Sequence, residues 1–397
     1  MKNKQTIETD STLTEVKTVD STEHRLAVLE GIQFGFILIW IVFFASLTES
    51  FAQVSLPYTS DFESSEGFIN ETPLSGNWST TDTSIVVTDD TVQSKTQSVR
   101  ITSANPENVI SLRFDPSVDG ILFLDYHTKI TASDLPKLPL LTAPETMAML
   151  TVRSYGTGFG EWVFLDGDGT GGGDWYASGN PLDLDASGQT SWQQVTLRLN
   201  LQSNLWDAYV NGKLSAFDLG FAEAPIPGSE AINLFGNSRG VTYLDNLNLS
   251  ASNPLFTDLD RDGLDDAFEN AHGLDASVND RYLDADADGL TNIYEFMADL
   301  SPSSKDTDGD GLEDGWEVNQ GYSASSNEGI FGAFGDLEGD HLANQTESNS
   351  GSSPSTVDTA TTLEGTNTRA GGDLAITLIG RGTFTISETA SASPLSD

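Results

Sequence analysis

The clearest alternation of polarity lies at residues 195–201, where Val195, Leu197, Leu199 and Leu201 interleave with Thr196, Arg198 and Asn200. A period of two sends one set of side chains into a core and the other into water. The run therefore predicts a half-buried antiparallel strand. Residues 205–210 and 213–217 flank Asn211-Gly212. Asn-Gly between two such runs predicts a two-residue hairpin, because both turn positions need positive φ. Shorter apolar runs at 84–88, 98–102, 109–114, 121–126, 147–153, 161–165 and 241–249 are separated by Gly, Pro, Asn and Asp. With no long helical period among them, residues 55–252 predict an all-β, two-sheet sandwich.

From residue 258 the pattern changes. Asp258, Asp260, Asp262, Gly263 and Glu269 form one series; Asp284, Asp286, Asp288, Gly289 and Glu295 a second; Asp306, Asp308, Asp310, Gly311 and Glu317 a third. Each fits D-x-D-x-D-G-x5-E, the spacing of a twelve-residue calcium loop. A fourth copy is worn: Asp336, Glu338, Asp340, then His341 in place of glycine, then Glu347. Position 7 is leucine throughout (Leu264, Leu290, Leu312, Leu342), and position 9 carries oxygen (Asp266, Asn292, Asp314, Asn344). Position 11 is Phe268, Tyr294 and Trp316, then Thr346.

Calcium takes about 6–8 oxygens at roughly 2.3–2.6 Å. Positions 1, 3 and 5 can turn inward, position 7 offers its carbonyl, and position 12 closes the site with two oxygens. The candidate calcium ligands are therefore Asp258, Asp260, Asp262, Leu264, Asp266 and Glu269; Asp284, Asp286, Asp288, Leu290, Asn292 and Glu295; and Asp306, Asp308, Asp310, Leu312, Asp314 and Glu317. Position 6 turns sharply, which suits glycine. The alternative is a solvated acidic linker. It leaves unexplained why apolar anchors recur in phase with the carboxylates. Helix-like stretches follow the loops at 265–272, 291–300 and 313–320, and none enters them.

The copies start 26, 22 and 30 residues apart (258 to 284, 284 to 306, 306 to 336). That spacing and the connectors His272-Gly273-Leu274-Asp275 and Leu300-Ser301-Pro302 resemble bacterial thrombospondin type 3 repeats. The resemblance implies a stiff calcium-binding stalk at 255–347 with little apolar core. The chain departs from the animal form in having no cysteine. Residues 53–254 resemble the laminin-G-like, concanavalin A-like jelly rolls. The likeness rests on residues 56–63, Gly76-Asn77-Trp78, residues 205–213 and Tyr243-Leu244-Asp245-Asn246-Leu247. It implies a jelly-roll fold; that fold hosts lectins, glucanases and spacers, so it does not fix a function.

Composition narrows the partners. A net charge of −42 opposes binding to nucleic acid or anionic lipid, which needs clustered Lys and Arg, and favours divalent cations. The 4 histidines are scattered, which opposes a zinc site. Residues 1–52 read as a leader: a polar start, then an apolar run at 31–47, with Ser50 and Ala52 suiting signal-peptidase cleavage after Ala52. A retained anchor is the alternative, and only an uncleaved leader would touch membrane. Either way the expectation is a secreted or cell-surface protein. Residues 348–372 read as a Ser/Thr/Gly-rich linker, followed by a small hairpin at 374–386 within 348–397.

One other stretch carries chemistry. Residues 166–176 place Asp166, Asp168 and Asp174 beside Trp175 and Tyr176 on a glycine-rich loop. The carboxylates could hold a cation and the aromatics a sugar ring; the plain alternative is a hairpin tip. No E-x-D-x-E strand or His-Glu-x-x-His occurs. The expected function is therefore binding without catalysis, of a glycan or another surface molecule. A calcium-stiffened spacer and a glycan-cleaving enzyme are the alternatives.

Overall fold

A computed structural model describes residues 54–80, 85–102, 109–113, 120–132, 148–156, 158–223, 231–235, 240–327, 329, 332–336, 342–351 and 353–355. The expected leader and cleavage site, positions 337–341 of the fourth copy, most of the expected linker and the expected C-terminal hairpin lie outside the described residues.

The described part is mostly β-sheet. One eight-stranded antiparallel sheet runs β12-β11-β10-β6-β14-β4-β3, with β1 also paired to β14. Its strands are β1 (Tyr58–Ser60), β3 (Ile85–Thr88), β4 (Ser98–Thr102), β6 (Ile121–Ile130), β10 (Gln193–Asn200), β11 (Leu205–Val210), β12 (Lys213–Gly220) and β14 (Val241–Ser250). Two three-stranded sheets accompany it. One joins β13 (Ala231–Phe235), β5 (Val109–Arg113) and β2 (Trp78–Thr80); the other joins β7 (Leu150–Gly156), β8 (Phe159–Gly167) and β9 (Gly173–Asp183). The expected second sheet is thus divided in two. All three sheets feed one core, in which Trp78, Leu112, Trp162 and Phe164 meet Val99, Leu124, Leu197 and Trp206.

The alternation at 195–201 sorts the two faces of β10. Val195, Leu197 and Leu199 enter that core, while Thr196 and Arg198 lie on the opposite face. That polar face is not in water as expected: Thr196 and Arg198 are buried, covered by Asp125 and by the loop at Arg261. The hairpin between β11 and β12 turns at Asn211 (φ 52°) and Gly212 (φ 82°), the two positive angles its Asn-Gly pair predicts.

The glycine stretch differs from its sequence reading. Asp166 belongs to β8, whereas Asp174, Trp175 and Tyr176 belong to β9, so only about residues 168–172 form a turn. Register decides this: Asp166 pairs with Asp174, and Leu165 with Trp175.

After β14 the chain forms the repeat array. Helices α1 (Asp266–His272), α2 (Asn292–Ala298), α3 (Asp314–Gln320) and α4 (Asn344–Ser350) each follow one acidic loop. Each ends on a left-handed residue: Gly273, Asp299, Gly321 and Gly351. Helix α2 packs against β12, the last strand of the large sheet. The array is less bare than the resemblance implies. Leu264 and Ile293 pack with Tyr209 and Leu214 of the sandwich, and Leu290, Leu300 and Ala324 form a second cluster. The position-7 residues Leu264 and Leu290 belong to these clusters, and Leu312 is buried as well.

Candidate metal centres

Each loop folds by the same backbone bonds. The position-1 carboxylate accepts the position-6 N–H: Gly263 to Asp258 at 3.2 Å, Gly289 to Asp284 at 3.0 Å and Gly311 to Asp306 at 2.9 Å. The position-5 carboxylate accepts the position-7 N–H, from Leu264, Leu290 and Leu312, at 2.8 Å each. The position-9 N–H reaches the carbonyl just before the loop, in Asp266 to Thr257, Asn292 to Leu283, Asp314 to Lys305 and Asn344 to Gly335. This last bond extends to the worn fourth copy.

Two turn residues per loop are left-handed. Position 6 has φ of 100° at Gly263, 103° at Gly289 and 101° at Gly311, as the sequence required. Position 4 is also left-handed, at Arg261 (65°), Ala287 (66°) and Gly309 (77°). Only the third copy has glycine there, so sequence reasoning had no consistent signal for it.

These turns bring the carboxylates together. In each of the trios Asp258–Asp260–Asp262, Asp284–Asp286–Asp288 and Asp306–Asp308–Asp310, oxygens lie within 4.8 Å of one another. The position-12 residues Glu269, Glu295 and Glu317 are 0% exposed, and neither oxygen of any of them has a hydrogen-bond partner. Buried oxygens of Asp260, Asp262, Asp286 and Asp308 are equally without one. Burial first, and then repulsion from the loop aspartates, pushes Glu269, Glu295 and Glu317 each up to about 8. Taking an isolated carboxylate out of water costs several kcal/mol, so buried charges are paired or bind metal. An oxygen-only donor set converging on one point fits a hard cation such as calcium.

Position 9 behaves differently. Asp266 accepts the Leu259 N–H at 2.9 Å, and Asp314 accepts the Thr307 N–H and hydroxyl at 2.8 and 2.6 Å. Both brace their loops. Asn292 donates to the Asp280 carbonyl at 3.0 Å and keeps its own oxygen buried without a partner.

Sequence spacing missed Asp280. It is 8% exposed, lies outside the twelve-residue pattern, and brings an oxygen within 4.8 Å of Asp262 and Glu269. Adjacent units are also linked. Gly315 N–H donates to Asp288 at 2.8 Å and Ala333 N–H to Asp310 at 2.7 Å. A Cβ on Gly315 would meet the Asp288 carbonyl oxygen at 2.2 Å, so that position demands glycine.

The 166–176 stretch gathers no comparable group. Asp166 accepts the Gly220 N–H at 2.6 Å. Asp168 accepts from Thr170 N–H, Thr170 hydroxyl and Gly172 N–H at 2.7–3.0 Å, which ties its own turn. Asp174 is exposed, Trp175 half-buried, and Tyr176 53% exposed. Glu161, the nearest carboxylate a glycosidase reading could use, is buried against Arg153.

No protein-family model matches the chain, and no curated protein matches it. Solved structures that align with about half of the chain include binding domains, a carbohydrate esterase and a sialidase. One is the binding domain of botulinum neurotoxin DC, at 12% identity and TM-score 0.26, covering 44% of this chain and 42% of that one. Another is a xylan-binding domain from Paenibacillus barcinonensis, at 13% identity and TM-score 0.23, covering 50% and 96%. A third is domain 4 of an extracellular arabinanase from Geobacillus stearothermophilus in complex with arabinotriose, at 12% identity and TM-score 0.26, covering 48% and 86%. The chain thus spans less than half of the neurotoxin binding domain. Likenesses this distant assign neither family nor ligand.

Proposed function

We propose that this is an exported surface protein whose repeat array is ordered by calcium and carries a glycan-binding or surface-binding sandwich. The observation that carries the calcium reading is the complete burial of Glu269, Glu295 and Glu317, each with both oxygens lacking a hydrogen-bond partner. In the first loop the ion would be held by Asp258, Asp260, Asp262, the Leu264 carbonyl and Glu269. The second would use Asp284, Asp286, Asp288, Leu290 and Glu295, and the third Asp306, Asp308, Asp310, Leu312 and Glu317. A bound cation would supply the positive charge that lets these carboxylates stay ionised together. The export reading rests on the leader pattern at 31–52.

Isothermal titration of the full chain tests the calcium reading. At least three calcium ions should bind, and chelation should open residues 255–347 to protease. No calcium uptake, or a digestion pattern indifferent to chelator, overturns it. Binding by the sandwich is tested separately on a glycan array, with Tyr176→Ala as the variant, because Tyr176 offers an exposed ring on β9. Binding to no glycan leaves the spacer reading in its place.

A further inference from the structure

We propose that the sandwich itself shapes the first cation loop, so that calcium bound there stabilises the sandwich and the sandwich raises that loop's affinity above the others. The inference rests on the calcium reading of the loops. Three successive carbonyls of the first loop are held by buried side chains. Arg198 of β10 donates Nε and Nη2 to the Arg261 carbonyl at 3.0 and 2.6 Å. Arg281 Nη1 donates to the Asp262 carbonyl. The Tyr209 hydroxyl of β11 donates to the Gly263 carbonyl at 2.6 Å.

Those carbonyls span the left-handed turn, with φ of 65° at Arg261 and 100° at Gly263. A non-glycine residue pays roughly 1–2 kcal/mol to be left-handed. Fixed donors on all three carbonyls therefore hold the strained turn before any ion arrives, and preorganisation of this kind raises affinity. The donors are themselves fixed. Asp207 on β11 accepts from Arg198 at 3.0 Å and from Arg281 at 2.9 and 3.0 Å, and all three side chains are buried. Leu264, next in the loop, packs with Tyr209 and Leu214.

The second loop is held differently. Its position-4 carbonyl, at Ala287, accepts from Lys305, an exposed side chain of the array itself. The first site also has the additional buried carboxylate Asp280. A ligand that binds only the folded form stabilises it by RT ln(1 + [L]/Kd). Because the first loop shares its packing and hydrogen bonds with β10 and β11, that stabilisation reaches the sheet.

Two measurements on the full chain decide the matter. Tyr209→Phe removes the hydroxyl donor and keeps the ring against Phe256. It should weaken one calcium site by about threefold to tenfold, the worth of one hydrogen bond, and leave the others unchanged. Thermal unfolding followed by tryptophan fluorescence should show a calcium-induced rise in midpoint that Glu269→Gln cuts sharply and Glu317→Gln preserves. Calcium binding at all three loops with a rise that Glu269→Gln leaves undiminished, or with every site of Tyr209→Phe at wild-type affinity, overturns the proposal. Absence of calcium uptake by the unaltered chain defeats the calcium reading beneath it, and is recognised by the titration alone.

Discussion

Arg281 grips Asp207 with both arms, Nη1 to Oδ2 at 2.9 Å and Nη2 to Oδ1 at 3.0 Å, across 74 residues of sequence. Both side chains are 1% exposed. The pair joins the array to β11. Burial alone would raise the Asp207 carboxyl, but Arg281 and then Arg198 outweigh it and hold the group below its ordinary value.

Removing Asp207 strands two guanidinium groups in a dry site. Asp207→Ala should destabilise the protein by about 3–5 kcal/mol, the usual consequence of breaking a buried pair. Urea unfolding measures it. A loss below about 1 kcal/mol would mean that water reaches Arg198 and Arg281 readily.

Glycine at position 6 is tested by two substitutions with different outcomes. Nothing stands within 4 Å of a Cβ on Gly289, so Gly289→Ala should cost only backbone strain, about 1–2 kcal/mol, and should weaken the second calcium site. A Cβ on Gly263 would meet the Tyr209 hydroxyl at 3.0 Å, Arg281 Nη1 at 3.2 Å and Asp207 Oδ2 at 3.3 Å. Gly263→Ala should therefore also lower the melting midpoint of the sandwich. Calorimetry with thermal unfolding separates the two effects.

Acid sensitivity should include Glu63. Burial acts to raise this carboxyl, yet hydrogen bonds from Thr96 and the Gln97 N–H hold it below its ordinary value. A depressed folded pKa contributes stability that is present above the unfolded value, about 4.3, and lost as pH falls through the folded one. The stability gap between the unaltered chain and Glu63→Gln should therefore shrink from about pH 6 to about pH 3. Denaturant melts across that range check it; a constant gap contradicts it.

The core prediction is simple. Leu197 is buried between β6 and β11 neighbours, so Leu197→Asp places an unpaired charge there and should unfold the sandwich. Circular dichroism of the variant beside Leu197→Met, which keeps the volume, gives the comparison.

Much of this was legible in the residues. The carboxylate spacing located the three trios and their buried glutamates, because the same loop geometry recurs at the same sequence intervals. The 195–201 alternation and Asn211-Gly212 located β10 and the β11–β12 turn. Strand β9 was missed because 166–176 reads as a glycine-rich loop; pairing to β8 makes it a strand, interrupted by an irregularity near 178–180 where Gly179 is left-handed (φ 72°). The Asp207–Arg281 joint was missed for another reason: nothing local announces a partner 74 residues away. A faint signal existed. Between 255 and 347 the basic residues are Arg261, Arg281 and Lys305, set among many acids. Each meets a backbone carbonyl, at Ile121, Asp262 and Ala287 respectively.

Helix α2 rests on β12, and β12 is where the large sheet stops. An outermost strand with free N–H and C=O groups is a template on which another chain can add itself, the route to fibrils and swapped dimers. The second repeat thus doubles as a bumper for that strand. A proteolytic cut that frees the chain before residue 292 would strip it away, and the released sandwich should then precipitate or pair edge to edge rather than persist as a harmless fragment.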